Sequence, residues 1–436
     1  MYKPFYGWWI VLGAILCLFV SGSIGHFVSG VFMRPVVEDL NWKIWQYTLG
    51  SSLSMAAGTI SGLVVGNIVD NRGPRLIMFI GAFVSMGCLL LLSIQSNLLV
   101  FLSVYCIGGL IGWNLFNPLV KSSTVSKWFV RQRGWALAIG SIGVSMGGLI
   151  SPMAMTIAVD NLGWRTAYMI LAISVIVIIV PIAFVMRRRP EDHGLLPDGD
   201  APINDPHGSA HPHILTPEHS QSLETDSQSF RRNEAIRTKD FWLLFIGYGL
   251  NGAALMSVLI HAIPFMTDIG FTRRVAAAAI TVNGLGNLTS KAVWGYGLQK
   301  IRPRRLATTA LSISSIGVTL MLVSSTNERT SILFLGFLLY GFGYGGTIPL
   351  SEFLRAKYFG RAHIGSINGA GLPITTLGSS IGPLLIGYWY DVTNDYRPAF
   401  MAIVATFLVG AILISISREP SKKDNNPAPL TLKTLT

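Results

Sequence analysis

The sequence predicts an all-α membrane protein with twelve transmembrane helices, arranged as two pseudo-symmetric bundles of six. The composition, the number of long apolar runs and a repeat between the halves lead to this fold class. Of the 436 residues, 51% are hydrophobic and only 12% are charged, whereas an ordinary soluble protein has about 25% charged residues. Because a soluble chain of this length needs polar surfaces for several domains, the composition argues against a soluble enzyme.

Twelve apolar runs are long enough to cross a membrane, since a helix needs about 20 residues to span about 30 Å of hydrocarbon. They are numbered spans 1 to 12 and cover about residues 7–33, 45–68, 76–96, 100–126, 134–158, 164–186, 240–266, 275–299, 306–325, 331–354, 363–388 and 398–416. The first run is too long for a signal peptide and has no cleavage site, so we interpret it as span 1. The predicted domains are two six-helix bundles (1–186 and 240–416), a linker (187–239) and a tail (417–436).

The placement of lysine and arginine predicts the orientation in the membrane. With the N-terminus inside, the cytoplasmic segments hold 24 of the 33 Lys and Arg residues, and the outer segments hold seven. This bias places both termini and the linker in the cytoplasm. We expect a multi-pass protein of the plasma (inner) membrane, in contact with the lipid bilayer and functional as a monomer.

The net charge of +12 does not predict nucleic-acid binding, because the basic residues follow the membrane topology and form no single patch or tail. Three cysteines lie in apolar runs without metal-ligand spacing, and we interpret them as buried structural residues: Cys17, Cys88 and Cys106. The sequence predicts neither a metal site nor a cofactor.

The two halves repeat at an offset of 229 or 230 residues. Three groups match in register at equivalent loops: Pro35 and Asp39 with Pro264 and Asp268; Gly66, Pro74 and Arg75 with Gly295, Pro303 and Arg304; and Lys127-Trp128-Phe129 with Lys357-Tyr358-Phe359. A parallel six-plus-six repeat is typical of transporters in which the substrate site lies at the midplane between the halves.

The loop after span 2 carries a recognisable motif, Gly66-Asn67-Ile68-Val69-Asp70-Asn71-Arg72-Gly73-Pro74-Arg75. It resembles the G-x-x-x-D-x-x-G-x-[RK] signature of the major facilitator superfamily. The resemblance implies the major facilitator fold and a loop that latches the cytoplasmic side, in which Asp70, Arg72 and Arg75 take part in gating. A solvated charged loop is the alternative interpretation.

Further motifs resemble those of bacterial monocarboxylate transporters and oxalate:formate antiporters, over essentially the whole chain outside the linker and tail. They are Tyr6-Gly7-Trp8-Trp9, Lys127-Trp128-Phe129 with Arg133-Gly134, Arg189-Pro190-Glu191-Asp192 with Gly194-Leu195-Leu196-Pro197, and His261 with Pro264 and Asp268-Ile269-Gly270. This resemblance implies a small carboxylate as substrate, moved by alternating access with protons or a counter-anion as partner.

Lys291 is the most informative single residue. It lies in span 8, nine residues before Lys300, which places it about 13 Å from the cytoplasmic end. A lysine at that depth should face water or a partner, and snorkelling to the interface is the alternative. Asn283, Asn287 and Lys291 recur every four residues and therefore share a helix face, where a cation flanked by amide donors suits a carboxylate. In the resembling family an arginine usually binds the substrate here, whereas lysine binds as a point charge.

Proton coupling has few candidate residues, because no Asp or Glu lies deep in a predicted span. Many proton-coupled relatives carry an aspartate one turn before the cation of span 8, and here that position is Asn287. Symport would need His261, His26 or Lys291, and without them the carrier exchanges anions. Each histidine is either a site residue or a hydrogen-bonded structural residue. Further polar contacts to the substrate are predicted from Asn117 in span 4 and from Tyr340 and Tyr344 in span 10.

Two charges in equivalent spans predict a gate. Lys121 lies six residues before Lys127 in span 4, and Glu352 lies five before Lys357 in span 10. An ion pair between Lys121 and Glu352 would join the halves about 8–9 Å from the cytoplasmic end. The alternatives are snorkelling of Lys121 and a local pair of Glu352 with Arg355.

These features favour a secondary transporter of a small organic carboxylate. A membrane enzyme would need a cluster of His, Asp or Glu, or a set of metal ligands, near one interface, and the predicted spans offer none. A sensor that keeps the fold without transport is the remaining alternative, and the intact latch motif argues against it.

Overall fold

The computed structural model describes residues 5–116, 124–125, 127–129, 132–196, 198, 230–327, 329–360 and 363–420. These residues form helices joined by short loops and contain no strand. Much of the predicted linker (199–229) and most of the predicted tail (421–436) lie outside the described residues.

The helices of the N-terminal half follow the predicted spans. Span 1 combines α1 (Gly7–Gly22), a π-helical turn (Ser23–Phe27) and α2 (Ser29–Leu40); spans 2 and 3 are α3 (Ile44–Arg72) and α4 (Arg75–Ile94); span 4 begins with α5 (Leu98–Ile111) and a 3-10 turn (Trp113–Phe116). Spans 5 and 6 are built from α6 (Arg133–Gly140) and α7 (Ile142–Val185). Gly163 divides α7 between these spans, because its φ of 80° lies in the left-handed region that glycine tolerates.

The helices of the C-terminal half repeat this order. After a 3-10 turn (Glu191–His193) come α8 (Arg232–Ile236), then spans 7 to 9 as α9 (Lys239–Asp268), α10 (Arg273–Lys300) and α11 (Pro303–Asn327). Span 10 comprises α12 (Thr330–Gly345) and α13 (Thr347–Phe359), and spans 11 and 12 are α14 (Ile364–Thr393) and α15 (Arg397–Ile416).

Nine helical stretches of the described chain are long and apolar enough to cross a membrane. One of these, Trp135–Val185, contains both span 5 and span 6. The helices α3 and α10 (spans 2 and 8) are long but less apolar, and with them the predicted twelve-span fold is complete. Their polarity has a physical reason: α3 packs on α14 and α10 packs on α7, so both line the boundary between the halves.

The pseudo-symmetry of the two halves is visible where spans 6 and 12 end. Arg75 donates from Nε to the Met186 carbonyl at 2.8 Å and from Nη2 to the Phe184 carbonyl at 2.6 Å. Its equivalent in the repeat, Arg304, donates to the Ser417 carbonyl at 2.7 Å. Each arginine therefore satisfies carbonyls that the C-terminus of a helix leaves unpaired, where a cation is also favoured by the helix dipole.

The halves are also joined at one end of the molecule. The end at which the linker leaves span 6 and enters span 7 is named the linker side here, and the opposite end is the far side. On the far side, the Arg34 guanidinium at the end of span 1 lies 3.1 Å from the Asp268 carboxylate and 3.4 Å from the Tyr390 hydroxyl. These contacts tie span 1 to spans 7 and 11 and hold the far side together.

Candidate substrate site

Lys291 lies on α10 at the boundary between the halves and is half-buried. Its ammonium donates to the Ser141 carbonyl at 2.6 Å and lies 3.4 Å from the Ser141 hydroxyl. Ser141 occupies the break between α6 and α7, where helical carbonyls lack their usual partners. A half-buried cation of the C-terminal half is thus hydrogen-bonded to the backbone of the N-terminal half.

The two asparagines that precede Lys291 at four-residue spacing are buried. Asn287 is 4% exposed and accepts a hydrogen bond from the Ser145 hydroxyl at 2.6 Å, again across the boundary. Asn283 is fully buried, and its Nδ2 donates to the Tyr344 hydroxyl at 3.4 Å. The Asn283 Oδ1 atom has no hydrogen-bonding partner among the described residues. The side-chain amides of Asn287 and Asn283 therefore lie one and two helical turns before the ammonium of Lys291 on α10.

Spans 5 and 8 form an antiparallel ladder of polar contacts that the sequence reasoning missed. Lys291 pairs with Ser141, Asn287 with Ser145, and the Thr281 hydroxyl donates to the Leu149 carbonyl at 3.0 Å. A serine in an apolar helix is a weak signal, because serine usually bonds its own helix. The partners are more than 130 residues apart, so only the three-dimensional pairing identifies them.

The two predicted tyrosines connect span 10 to its neighbours. Tyr340 is fully buried and donates to the Leu255 carbonyl at 2.9 Å. Its ring centroid lies 5.1 Å from that of Tyr344, which reaches Asn283. A Cβ on Gly341 would collide with the Asn283 backbone, so glycine is what allows spans 8 and 10 to approach closely here. Tyr344 therefore lies nearer to the boundary residues of α10 than Tyr340 does.

His261 lies inside the C-terminal half with 0% exposure. Its Nε2 is 2.9 Å from the Pro383 carbonyl and its Nδ1 is 3.2 Å from the Tyr396 hydroxyl. Because a carbonyl only accepts, Nε2 carries the proton and Nδ1 accepts from tyrosine. Both ring nitrogens are thus engaged with spans 11 and 12, and the described contacts place His261 away from Lys291.

His26 lies in the π-helical turn of span 1. Its Nδ1 is buried and has no hydrogen-bonding partner among the described residues. The same turn touches span 5, where the hydroxyls of Ser23 and Ser151 are hydrogen-bonded. Single π-helical turns are frequent at functional sites. His26 thus lies at an irregular point of its helix, whereas His261 lies in a regular helix with both ring nitrogens hydrogen-bonded.

The residues predicted to gate the linker side are only partly described. Lys121 and the side chains of Asp70 and Arg72 lie outside the described set, as does Asn117, which was predicted to contact the substrate. Glu352 is exposed, and the described residues show no ion pair between Glu352 and Arg355. Arg75 donates its hydrogen bonds to the carbonyls at the end of span 6.

Asp39 and Asp268 match in the repeat but have different partners. Asp268 reaches across the boundary to Arg34, whereas Asp39 stays in its own half, 2.5 Å from the Arg165 guanidinium and 3.2 Å from Trp164 Nε1. Hydrogen bonding from Arg165 holds the pKa of the Asp39 carboxyl below its usual value. The sequence repeat thus identifies equivalent positions and leaves their partners undetermined.

Comparison with known proteins agrees with this architecture. The family model described as Major Facilitator Superfamily matches residues 12–372 and residues 244–435. The chain is 23% identical to the oxalate:formate antiporter of Oxalobacter formigenes, over 81% of this chain and 78% of that protein. It is 24% identical to monocarboxylate transporter 11 of Homo sapiens, over 93% of this chain and 82% of that protein.

A solved structure shares the fold. The D-xylose-proton symporter superposes with a TM-score of 0.73 at 14% sequence identity, covering 95% of this chain and 98% of the symporter. At that identity the likeness concerns the arrangement of helices alone.

Proposed function

Because the chain belongs to the major facilitator superfamily, we propose that it is a secondary transporter that moves a small organic carboxylate across the membrane by alternating access. The observation that carries this proposal is the position of Lys291, a half-buried ammonium at the boundary between the halves. A charged side chain at this depth is costly and marks a functional site by default.

The contact of Lys291 with Ser141 supports a mechanism in which the Lys291 ammonium exchanges the Ser141 carbonyl for the carboxylate of the substrate. A backbone carbonyl offers a dipole to the ammonium, whereas a carboxylate offers a full negative charge and forms shorter, stronger hydrogen bonds. A substrate carboxylate would therefore displace the carbonyl. That displacement removes a hydrogen bond between the halves at the same moment as the substrate binds, which links binding to the movement of spans 5 and 8.

The neighbouring groups favour a small anion. Asn287 and Asn283 are buried amides on α10, and Tyr344 adds a hydroxyl. These groups donate and accept hydrogen bonds without adding charge. The names of the two relatives above, an oxalate:formate antiporter and a monocarboxylate transporter, both specify carboxylates.

The coupling is either proton symport or anion exchange. No Asp or Glu lies deep in a predicted span, so a proton carrier would be a histidine or Lys291. The bias of Lys and Arg further supports an orientation with both termini and the linker in the cytoplasm of the cell, in the plasma (inner) membrane.

Uptake into proteoliposomes tests the proposal. Labelled formate, oxalate and lactate would be offered with and without a pH gradient, and with and without unlabelled anion inside. We expect saturable uptake of at least one of them by the wild type, no saturable uptake by Lys291→Gln, and partial uptake by Lys291→Arg, which keeps the charge in a different geometry.

A matched control lies on the same helix. Lys300 is exposed at the end of α10, with its ammonium 4.7 Å from the Tyr296 ring centroid, so Lys300→Gln changes the net charge equally and should transport normally. Wild-type uptake by Lys291→Gln would refute the assignment of Lys291. Binding of these anions without any uptake would indicate a sensor of the same fold.

A further inference from the structure

Arg355 is a second inward-placed cation of the C-terminal half. It lies on α13, four residues before the helix ends at Phe359, and is half-buried. Its Nε and Nη2 donate to the carbonyl and hydroxyl of Ser351 at 3.0 and 2.8 Å, and its Nη1 donates to Asn368 Oδ1 on α14 at 3.1 Å. A guanidinium has five N–H donors, so these three bonds leave two of them for another acceptor.

No carboxylate of the described residues contacts the Arg355 guanidinium directly, although the charge of Glu352 acts on it at longer range. The chain as described contains no ion pair of Arg355, and Glu352, three residues earlier, is exposed. On α9 the Phe245 ring lies beneath the guanidinium at 5.4 Å. Tyr248, one turn further along α9, is 6% exposed, and its buried hydroxyl has no hydrogen-bonding partner among the described residues.

The Tyr248 hydroxyl and the Arg355 guanidinium interact electrostatically. An unsatisfied buried hydroxyl near a cation with unused donors is an unfavourable arrangement, because each buried polar group without a partner costs about 1–3 kcal/mol. One acceptor of negative charge between them would satisfy both. A carboxylate has two oxygens and four lone-pair positions, so one oxygen can accept from the guanidinium and the other from the tyrosine hydroxyl.

The position of Arg355 relative to Lys291 follows from the packing of spans 8 and 10. These spans run in the same direction, and Gly345 packs against Asn287. Lys291 is therefore level with about residue 349, and Arg355 comes six residues later, about 9 Å nearer to the linker side at 1.5 Å per residue. The two cations thus stand at two depths in the same half.

We propose that Arg355, Tyr248 and Asn368 form a second anion site, which holds the carboxylate group of the substrate on the linker side before it reaches Lys291 or after it leaves. This inference rests on the proposed carboxylate transport. A planar guanidinium over an aromatic ring is weakly hydrated and suits capture of a carboxylate from water, and the point charge of Lys291 lies deeper.

The alternative is that Arg355 only fastens span 10 to span 11 through Asn368. That role requires no anion, and it gives the Tyr248 hydroxyl no function. Replacing Tyr248 by Phe therefore separates the two explanations, since it removes the hydroxyl and leaves the bond between Arg355 and Asn368 intact.

The test measures binding of trifluoroacetate, a monocarboxylate, to the full-length protein in phosphatidylcholine nanodiscs by ¹⁹F NMR line broadening. We expect Lys291→Gln to retain one site and the double variant Lys291→Gln/Arg355→Gln to bind at least about tenfold more weakly. On the Lys291→Gln background, Tyr248→Phe should weaken binding about threefold or more, and Arg355→Lys should retain part of it. Arg305→Gln, at an exposed arginine of the linker side, is the matched charge control.

Thermal unfolding of each variant shows that loss of binding is not loss of fold. Equal binding by Lys291→Gln and by the double variant, both folded, would overturn the second site, and so would a Tyr248→Phe variant that binds as tightly as its background. Because this measurement detects binding, it is independent of uptake. If the protein transports no carboxylate, but its binding of trifluoroacetate is lost only when Arg355 is replaced, the transport function is refuted and the second site stands.

Discussion

Asp160 and Asp391 lie at the far ends of the equivalent spans 5 and 11, and each carboxylate reaches across the boundary to the first turn of a helix in the other half. Asp160, at the far end of span 5, lies 3.0 Å from the guanidinium of Arg273, the first residue of α10. Asp391, at the far end of span 11, accepts from the backbone nitrogens of Ile44 and Trp45, the first residues of α3, at 3.0 and 2.7 Å. The far side is thus closed by a pair of carboxylates, one binding a side chain and one capping a helix N-terminus.

We expect Arg273→Gln to shift the protein toward a state in which the far side is open. Both side chains of the Asp160–Arg273 pair are 23% exposed, and breaking such a pair should cost about 1 kcal/mol, a roughly fivefold change in the ratio of the two states. Distances between spin labels at the far ends of spans 5 and 8 measure this ratio. Arg274→Gln is the control, because Arg274 is adjacent and exposed; identical distance distributions for the two variants would contradict the prediction.

Replacing Asp391 by Ala should loosen the start of span 2. The substitution removes the acceptor of two backbone N–H groups, a cap worth about 1 kcal/mol, so hydrogen exchange of residues 44 and 45 should accelerate roughly fivefold. Asp395→Ala is the comparison, since the Asp395 carboxylate caps span 12 of its own half at Arg397 N and should leave exchange at the start of span 2 unchanged. If exchange at residues 44 and 45 stayed slow in Asp391→Ala, the carboxylate would not be their cap.

Arg75→Gln and Arg304→Gln should both lower the thermal stability of the protein. A hydrogen bond from a charged donor contributes about 1.5–3 kcal/mol, and Arg75 makes two such bonds to carbonyls of span 6, so its loss should be the larger. Thermal unfolding followed by tryptophan fluorescence measures the effect, with the exposed Arg305→Gln as reference. An Arg75→Gln protein that melts like the wild type but no longer transports would favour the gating role that the loop motif implies.

His261→Gln should reduce stability and leave the shape of the pH dependence of uptake unchanged. The imidazole is fully buried and bonded at both nitrogens, so it has no free position from which to exchange a proton with the transport path. Tyr396→Phe removes the same hydrogen bond from the other side and should reproduce the loss of stability. A flattened pH profile in His261→Gln alone would instead identify His261 as the proton carrier.

The proposed ion pair between Lys121 and Glu352 is tested by exchanging the charges. Lys121→Glu and Glu352→Lys should each impair transport, since each places like charges opposite one another when the linker side closes. The double exchange should recover part of the activity. A double variant no better than the worse single variant would exclude the pair.

The sequence predicts the fold well because its signals are local or repeated. Apolar runs of about 20 residues identify helices one at a time, and the offset repeat pairs Arg75 with Arg304 before any contact is known. The cross-boundary partners have no such signal. Ser145 and Asn287 are separated by 142 residues, and a hydroxyl group in an apolar run is compatible with many neighbours. For the same reason the sequence left His261 undecided between a site role and a structural role, since Tyr396 is its partner only in the folded chain.

The reliance on serine at the boundary has a consequence for how easily the two halves can slide past one another. A serine hydroxyl that loses a partner across the interface can rotate onto a carbonyl of its own helix, as Ser141 already does with Ala138 at 2.6 Å. Ser52, which donates across spans 2 and 11 to the Ser380 carbonyl, has the same option. When the halves move apart, few hydroxyl donors are therefore left without a hydrogen-bond acceptor inside the membrane. The boundary between the halves can therefore rearrange with little loss of hydrogen bonding, and the ion pairs at its ends control when the halves move.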